Sequence, residues 1–384
     1  MFKLNQIIKS IMFIGFSSLM VTGCGKPQMA FPENEELNSY FTEGINFERQ
    51  NYFPVHINLP LALGNEESIN GTTTISPIIY RDKILFTTRN GHLTLVPLQN
   101  LGKDRKTRLS KGTTASPTFF RGRVYIPMEL GKFGLRVYNM NTAEVDWNLE
   151  GYPSMSSPVV IDNLVIHAGK YGDILGLDAA NGDRLWKKNL DSNIFVNLAS
   201  NQKSIIAVTQ DGFVQSFEPQ YGLDNWSVDL GESVYSEPLI VHDHVFLSAY
   251  SGKLYRFDLH TGVSEMIRDF NINIFSPPSA DNEHLFIPLS DGKIICRDLD
   301  SGPDLWDVQL DGPVSVPILV TNKYLLIGTS QRKFYIVDKS DGSIVQATEL
   351  EGRLSSIPLI SGQEIFIGYE YNHIALLSPE KSNQ

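Results

Sequence analysis

The sequence predicts an all-β fold: an eight-bladed β-propeller of four-stranded antiparallel blades, closed by an N-terminal strand in the last blade. Three observations predict it. Glycine stands at 182, 222, 262, 302 and 342, every 40 residues, and a strict period of that length marks a repeat architecture. Prolines at 77, 117, 158, 238, 278, 317 and 358 open successive units, and Leu198 fills the one vacant place, so the units number eight. No 3.6-residue apolar period runs past residue 50, which excludes a helical solenoid.

Residues 1–23 read as a lipoprotein signal peptide. Lys3 and Lys9 supply a positive start, Ile11 to Met20 a short apolar run, and Val21-Thr22-Gly23 lead into Cys24. That run is too short to cross a bilayer core of about 30 Å. A cysteine directly after Thr-Gly resembles a bacterial lipobox, so Cys24 is the expected lipidation site. Residues 24–49, with Pro27, Pro32 and Glu33-Asn-Glu-Glu36, are expected to be a lipidated flexible tether. Residues 50–378 are expected to form the propeller and 379–384 a polar tail. Once Cys24 is acylated only Cys296 remains, so no internal disulfide is expected and the core must supply the stability.

The formal charge is −11, or −13 without the two signal lysines. This acidity argues against a nucleic-acid binder, which carries a basic face. Membrane attachment is expected through the lipid alone.

Within each unit the elements follow in order. Behind the opening proline comes a β-branched run such as Val159-Val160-Ile161, then a polar turn and Leu164-Val165-Ile166. A second turn carries Asn90-Gly91, Tyr171-Gly172, Asp211-Gly212, Ser251-Gly252 or Asp291-Gly292, which is hairpin chemistry. Gln331-Arg332 and Tyr371-Asn372 lack the glycine, and longer or looser hairpins are expected there. After the third strand an Asp-x-x-x-Gly turn, as in Asp178 to Gly182, leads to a fourth strand. All four tryptophans lie on that strand, at 147, 186, 226 and 306, and Met266 takes the vacant place. The eighth unit ends after three strands, and Tyr52 to Leu59 is the expected closing strand, with Phe53 and Ile57 at the spacing of Trp186 and Leu190 on an outer strand.

The unit, clearest from Ser157 to Trp186 and from Ser236 to Leu259, resembles the quinoprotein (PQQ-type) propeller repeat across residues 50–378. Two branches of that resemblance differ in function. The quinone-dependent dehydrogenases are longer, and several carry adjacent cysteines near the cofactor; this chain has no such pair and no matching calcium-ligand set. BamB-like outer-membrane assembly lipoproteins are similar in length, lipobox, acidic tether and blade regularity. This second resemblance implies a non-enzymatic scaffold without cofactor, facing the periplasm from the outer membrane, whose partner is the barrel-assembly protein. Gly25 after the lipidated cysteine fits outer-membrane sorting in such proteins. The mid-ring connection Asp191 to Phe195 is shorter than the docking loop of the family. A degenerate quinone-dependent dehydrogenase and a peptide- or glycan-binding lipoprotein are the other readings.

No catalytic, cofactor-binding or metal-binding residue is expected. His242-Asp243-His244 falls on a blade turn, and Asp298 to Asp304 lacks the closing Glu of a calcium loop. Repeated turn carboxylates bend backbone. The candidate site is the series Met155, Phe195, Tyr235 and Phe275, each three residues before its blade's anchor. In a ring these fall near the channel mouth. They form either a partner-docking patch or, as the plainer reading, packing between blades.

Overall fold

Apolar runs of four to six residues, separated by turns, become short strands, and each set of four pairs into one sheet. The computed structural model describes Thr42 and residues 45–380, apart from 70, 74, 75, 81, 99, 100, 103, 104, 110, 143 and 301. Among the described residues there is no helix, and the strands form eight four-stranded antiparallel sheets. The protein is an eight-bladed β-propeller.

Blade 3 shows how the sequence builds one unit. Val159–Ile161 is innermost, followed outward by Leu164–Ala168, Asp173–Asp178 and Arg184–Asn189. Leu164–Ala168 is buried along its whole length, because neighbouring blades cover both of its faces. The outer strand alternates exposed and half-buried residues. Gly172 turns the middle hairpin at φ 93°. A Cβ there would lie 2.5 Å from the Ser192 carbonyl oxygen, so the hairpin tip packs under the connection to blade 4. Asp178 Oδ1 accepts the Ala180 N–H at 2.8 Å and closes the following turn.

The cores lie between blades. Tyr125 and Leu135 of blade 2, Val165 and Leu175 of blade 3, and Ile205 and Phe217 of blade 4 belong to one buried cluster. Outer-strand tryptophans tie the rim. Trp147, Trp226 and Trp306 each donate the indole N–H to a backbone carbonyl in the next blade's Asp-x-x-x-Gly turn, those of Ala179, Leu259 and Lys339. Where Met266 replaces tryptophan, Arg297 approaches Gly302 and donates to the Ile267 carbonyl. In blade 7 Gln346 bonds both the N–H and the carbonyl of Leu61.

Four expectations need correction. The closing strand is Leu61–Ser68, paired from Leu61↔Pro379 to Ser68↔His373, and not Tyr52 to Leu59. An outermost strand is the most solvated of its blade, so the polar Leu-Ala-Leu-Gly-Asn-Glu-Glu-Ser suits it better than the apolar 52–59 stretch. That stretch crosses the base of blades 7 and 8. Phe53 N–H donates to the Val320 carbonyl at 2.8 Å, and Gln363 brackets the chain at His56 and Asn58. The glycine-free hairpins are not loose. Arg332 takes φ 63° in a turn as long as its neighbours, and Tyr371 and Asn372, both at φ 66°, close a tighter one. In blade 7 the inner strand is Leu319–Val320, so Ile318, not Pro317, stands level with Pro278.

The fourth correction is the tether. Cys24 and most of residues 24–49 lie outside the described residues, but Thr42 and Ile45 to Arg49 lie against the inner strands, with Thr42, Ile45, Phe47 and Arg49 buried. The carbonyls of Phe47, Glu48, Gln50 and Asn51 accept the N–H groups of Ser200, Ile240, Ala280 and Val320, at 2.8–3.0 Å. Those four amides are equivalent positions on blades 4 to 7. The segment thus forms a plug across the ends of four inner strands. Its tight path needs positive φ at Ile45 (74°), Arg49 (63°) and Asn51 (54°), a conformation costing about 1 kcal/mol or more per residue. Arg49, fully buried, donates from Nε to the Leu198 carbonyl at 2.8 Å and from Nη1 to Thr42 Oγ1 at 3.4 Å. The propeller domain therefore begins before residue 50.

Candidate docking site

Each inner strand is entered through a connection from the previous blade, spanning residues 151–158, 190–198, 230–238 and 270–278 for blades 3, 4, 5 and 6. Met155, Phe195, Tyr235 and Phe275 occupy one place in these connections. The plug binds about five residues further along, so they lie at the opposite mouth of the channel. There they share a cavity of about 370 Å³.

The packing reading of the series does not hold for Tyr235 and Phe275. Tyr235 is 41 % and Phe275 58 % exposed, while Met155 and Phe195 are half-buried. The residues that pack between blades are the ones just before them: Ser154, Ile194, Val234 and Ile274. In extended chain adjacent side chains point to opposite sides, so a one-residue offset separates core from mouth.

Tyr250, which the sequence reading missed, joins the arc. Its ring lies 5.5 Å from Tyr235 and 5.5 Å from Phe275, edge-on to both. Gln210 Nε2 donates to the Tyr235 hydroxyl at 3.1 Å. The signal was present: Tyr250 stands where other blades carry Lys170, Gln210, Ser290 and Ser330. Beside the arc, Glu232 accepts from Ser251, Tyr255 and Lys253. Burial pushes its carboxyl pKa up, but these donors outweigh it and hold the pKa below the usual range.

Beneath the arc a relay crosses three blades. Ser157 N–H donates to Asn197 Oδ1 at 2.7 Å, and Asn197 Nδ2 donates to Glu237 Oε2 at 2.7 Å. Ser76 N–H donates to Ser116 Oγ at 2.8 Å in the same register, so the side chain of one blade habitually satisfies the backbone of the preceding one.

The other sequence candidates do not assemble a site. His242 lies in a turn at φ 52°, and Asp298 caps its own turn through the Asp300 N–H. Asp304 pairs with Arg297 and Arg268. Among the described residues no three His, Cys, Asp or Glu side chains converge as metal ligands. Cys296 is buried, and burial pushes its thiol up to about 12.

Fold and repeat define a PQQ-type propeller. The family model described as outer membrane protein assembly factor BamB matches residues 102–264, 231–308 and 290–383, and the chain belongs to that family. No curated protein sequence matches it. BamB from Moraxella catarrhalis aligns at 15 % identity over 83 % of this chain and all of its own, with a TM-score of 0.64. Quinohemoprotein alcohol dehydrogenase from Comamonas testosteroni aligns at 10 % identity, covering 90 % of this chain and 82 % of its own, with a TM-score of 0.73. A europium-containing methanol dehydrogenase aligns at 10 % identity, covering 88 % of this chain and 98 % of its own, with a TM-score of 0.74. These likenesses establish the shared fold.

The dehydrogenase branch implies a quinone. Pyrroloquinoline quinone is a tricarboxylate and needs cationic or metal partners for its charge. The described lining of the channel-mouth cavity contains no Lys, Arg or His, and its one charged side chain is the carboxylate of Glu237. The donor set does not fit the quinone.

Proposed function

We propose that this chain is a non-enzymatic scaffold of the BamB type: an outer-membrane lipoprotein, anchored through Cys24 and facing the periplasm, that supports assembly of β-barrel proteins. The observation that carries this reading is the exposed arc of Tyr235, Tyr250 and Phe275 on a rigid ring. Aromatics dominate the energetics of protein interfaces, and an arc left in solvent at the mouth of a plugged channel suits a docking surface. The family match supports the same reading, and the absence of cationic side chains from the described lining weighs against quinone chemistry there.

Affinity capture with the full-length protein from solubilised outer membranes tests it. The barrel-assembly protein should be recovered, and recovery should fall with Tyr235→Ala plus Phe275→Ala. Its absence from the eluate would defeat the assembly role. Dye-linked alcohol oxidation after addition of quinone and calcium would favour the dehydrogenase branch instead.

A further inference from the structure

The channel-mouth cavity departs from the repeat at its most buried polar place. Ser76, Ser116 and Ser157 hold this register in the first three blades; Asn197 and Glu237 hold it in blades 4 and 5. A serine there suffices structurally, because Ser116 already satisfies the backbone of the preceding blade. Glu237 places a carboxylate where the first four blades carry neutral side chains, in a residue only 6 % exposed. Asn197 spends its carbonyl on Ser157 and turns its amide toward Glu237, which fixes one carboxylate oxygen. Above it stand the rings of Phe195, Tyr235 and Phe275, with no other charged side chain in the described lining. A carboxylate and aromatic rings lining one opening suit a cation, which pairs with the carboxylate and is attracted to any ring that presents its face.

We propose that this cavity receives one basic side chain, the guanidinium of arginine or the ammonium of lysine, from a protruding segment of a partner protein. Glu237 is the counter-charge and the arc is the cage. The proposal rests on the docking reading of the arc, but its test needs no membrane, so its failure is distinct from failure of the capture experiment.

The test uses the full chain with a ¹³C-labelled Met155 methyl group as reporter inside the cavity. Acetyl-Gly-Arg-Gly-amide and its lysine counterpart are titrated beside the citrulline peptide, a neutral isostere of arginine. Saturable Met155 shifts are expected with both basic peptides, and binding should weaken about tenfold or more with citrulline. Glu237→Gln keeps an oxygen for Asn197 and so should stay folded, with the same tenfold loss. Tyr235→Leu plus Phe275→Leu, which leaves the carboxylate in place, should weaken binding several-fold. Equal shifts with citrulline, unchanged binding in Glu237→Gln, or no shift with either basic peptide would each overturn the proposal. Binding seen only after removal of the residues preceding Thr42 would overturn it too, by assigning the cavity to the chain's own N-terminal segment.

Discussion

The indole of Trp186 lies against Gly222 in the next blade. A Cβ on Gly222 would come within 2.8 Å of the benzo ring, and the indole N–H donates to the Pro219 carbonyl at 3.0 Å. Glycine is therefore required twice at this turn, once by its φ of 69° and once by the ring above it.

That double requirement gives a matched comparison. Gly231 has nearly the same φ, 66°, with nothing within 4 Å of a built Cβ. Gly231→Ala should cost about 1 kcal/mol, the conformational price alone. Gly222→Ala should cost about 2–3 kcal/mol more, as overpacking adds to it. Urea midpoints of the two variants check this; equal losses would mean that the indole contact contributes nothing.

The exposure of the arc predicts a separation of stability from binding. Tyr235→Ala and Phe275→Ala should each change stability by no more than about 0.5–1 kcal/mol, as expected of surface positions. Thermal unfolding of the double variant is the measurement. A collapse of the fold would restore the packing reading.

Burial pushes His167 down to about 4, against an ordinary value of 6.5. Its Nε2–H donates to the Tyr152 carbonyl at 2.8 Å. Between pH 6.5 and 4 the unfolded chain binds a proton that the folded chain refuses. Stability from this group is thus complete above pH 6.5 and falls as pH drops toward 4, by roughly 3 kcal/mol over the window. Denaturant midpoints at pH 7 and 4.5 should differ less for His167→Gln than for the parent. An unchanged difference would contradict the assignment.

Arg49→Ala should loosen the plug. It removes the donor to the Leu198 carbonyl together with fully buried volume, a loss of about 3 kcal/mol. Amide exchange should quicken first at Ser200, Ile240, Ala280 and Val320, whose N–H groups the plug accepts. Exchange spread evenly over all blades would mean that the segment closes nothing locally.

The repeat was legible because each blade solves the same problem with the same residues, so Gly182 and its successors announce the ring before any strand is placed. What had no period was not legible. Ile45 to Asn51 is irregular and partly polar, and its partners lie some 150 to 270 positions away, so nothing local marks it as core. Its composition reads as linker because its hydrogen bonds are long-range. The closing strand was missed for the opposite reason: Phe53 and Ile57 looked like strand residues, whereas they pack under blades 7 and 8 while the solvated Leu61–Ser68 pairs. At the mouth, position in the unit located Met155, Phe195, Tyr235 and Phe275, but the direction of each side chain depended on one residue of register. Tyr250 and Glu237 were visible only as departures from their equivalents in other blades.

Because Thr42 bonds to an inner strand of blade 2 and not to the rim, tension on the chain ahead of it meets the hub before any outer strand. The bonds of the plug to blades 4, 5, 6 and 7 follow one another along the chain, so they are loaded in that order. The closing strand Leu61–Ser68 lies behind all of them, so the seam of the ring is the last place such a load can reach.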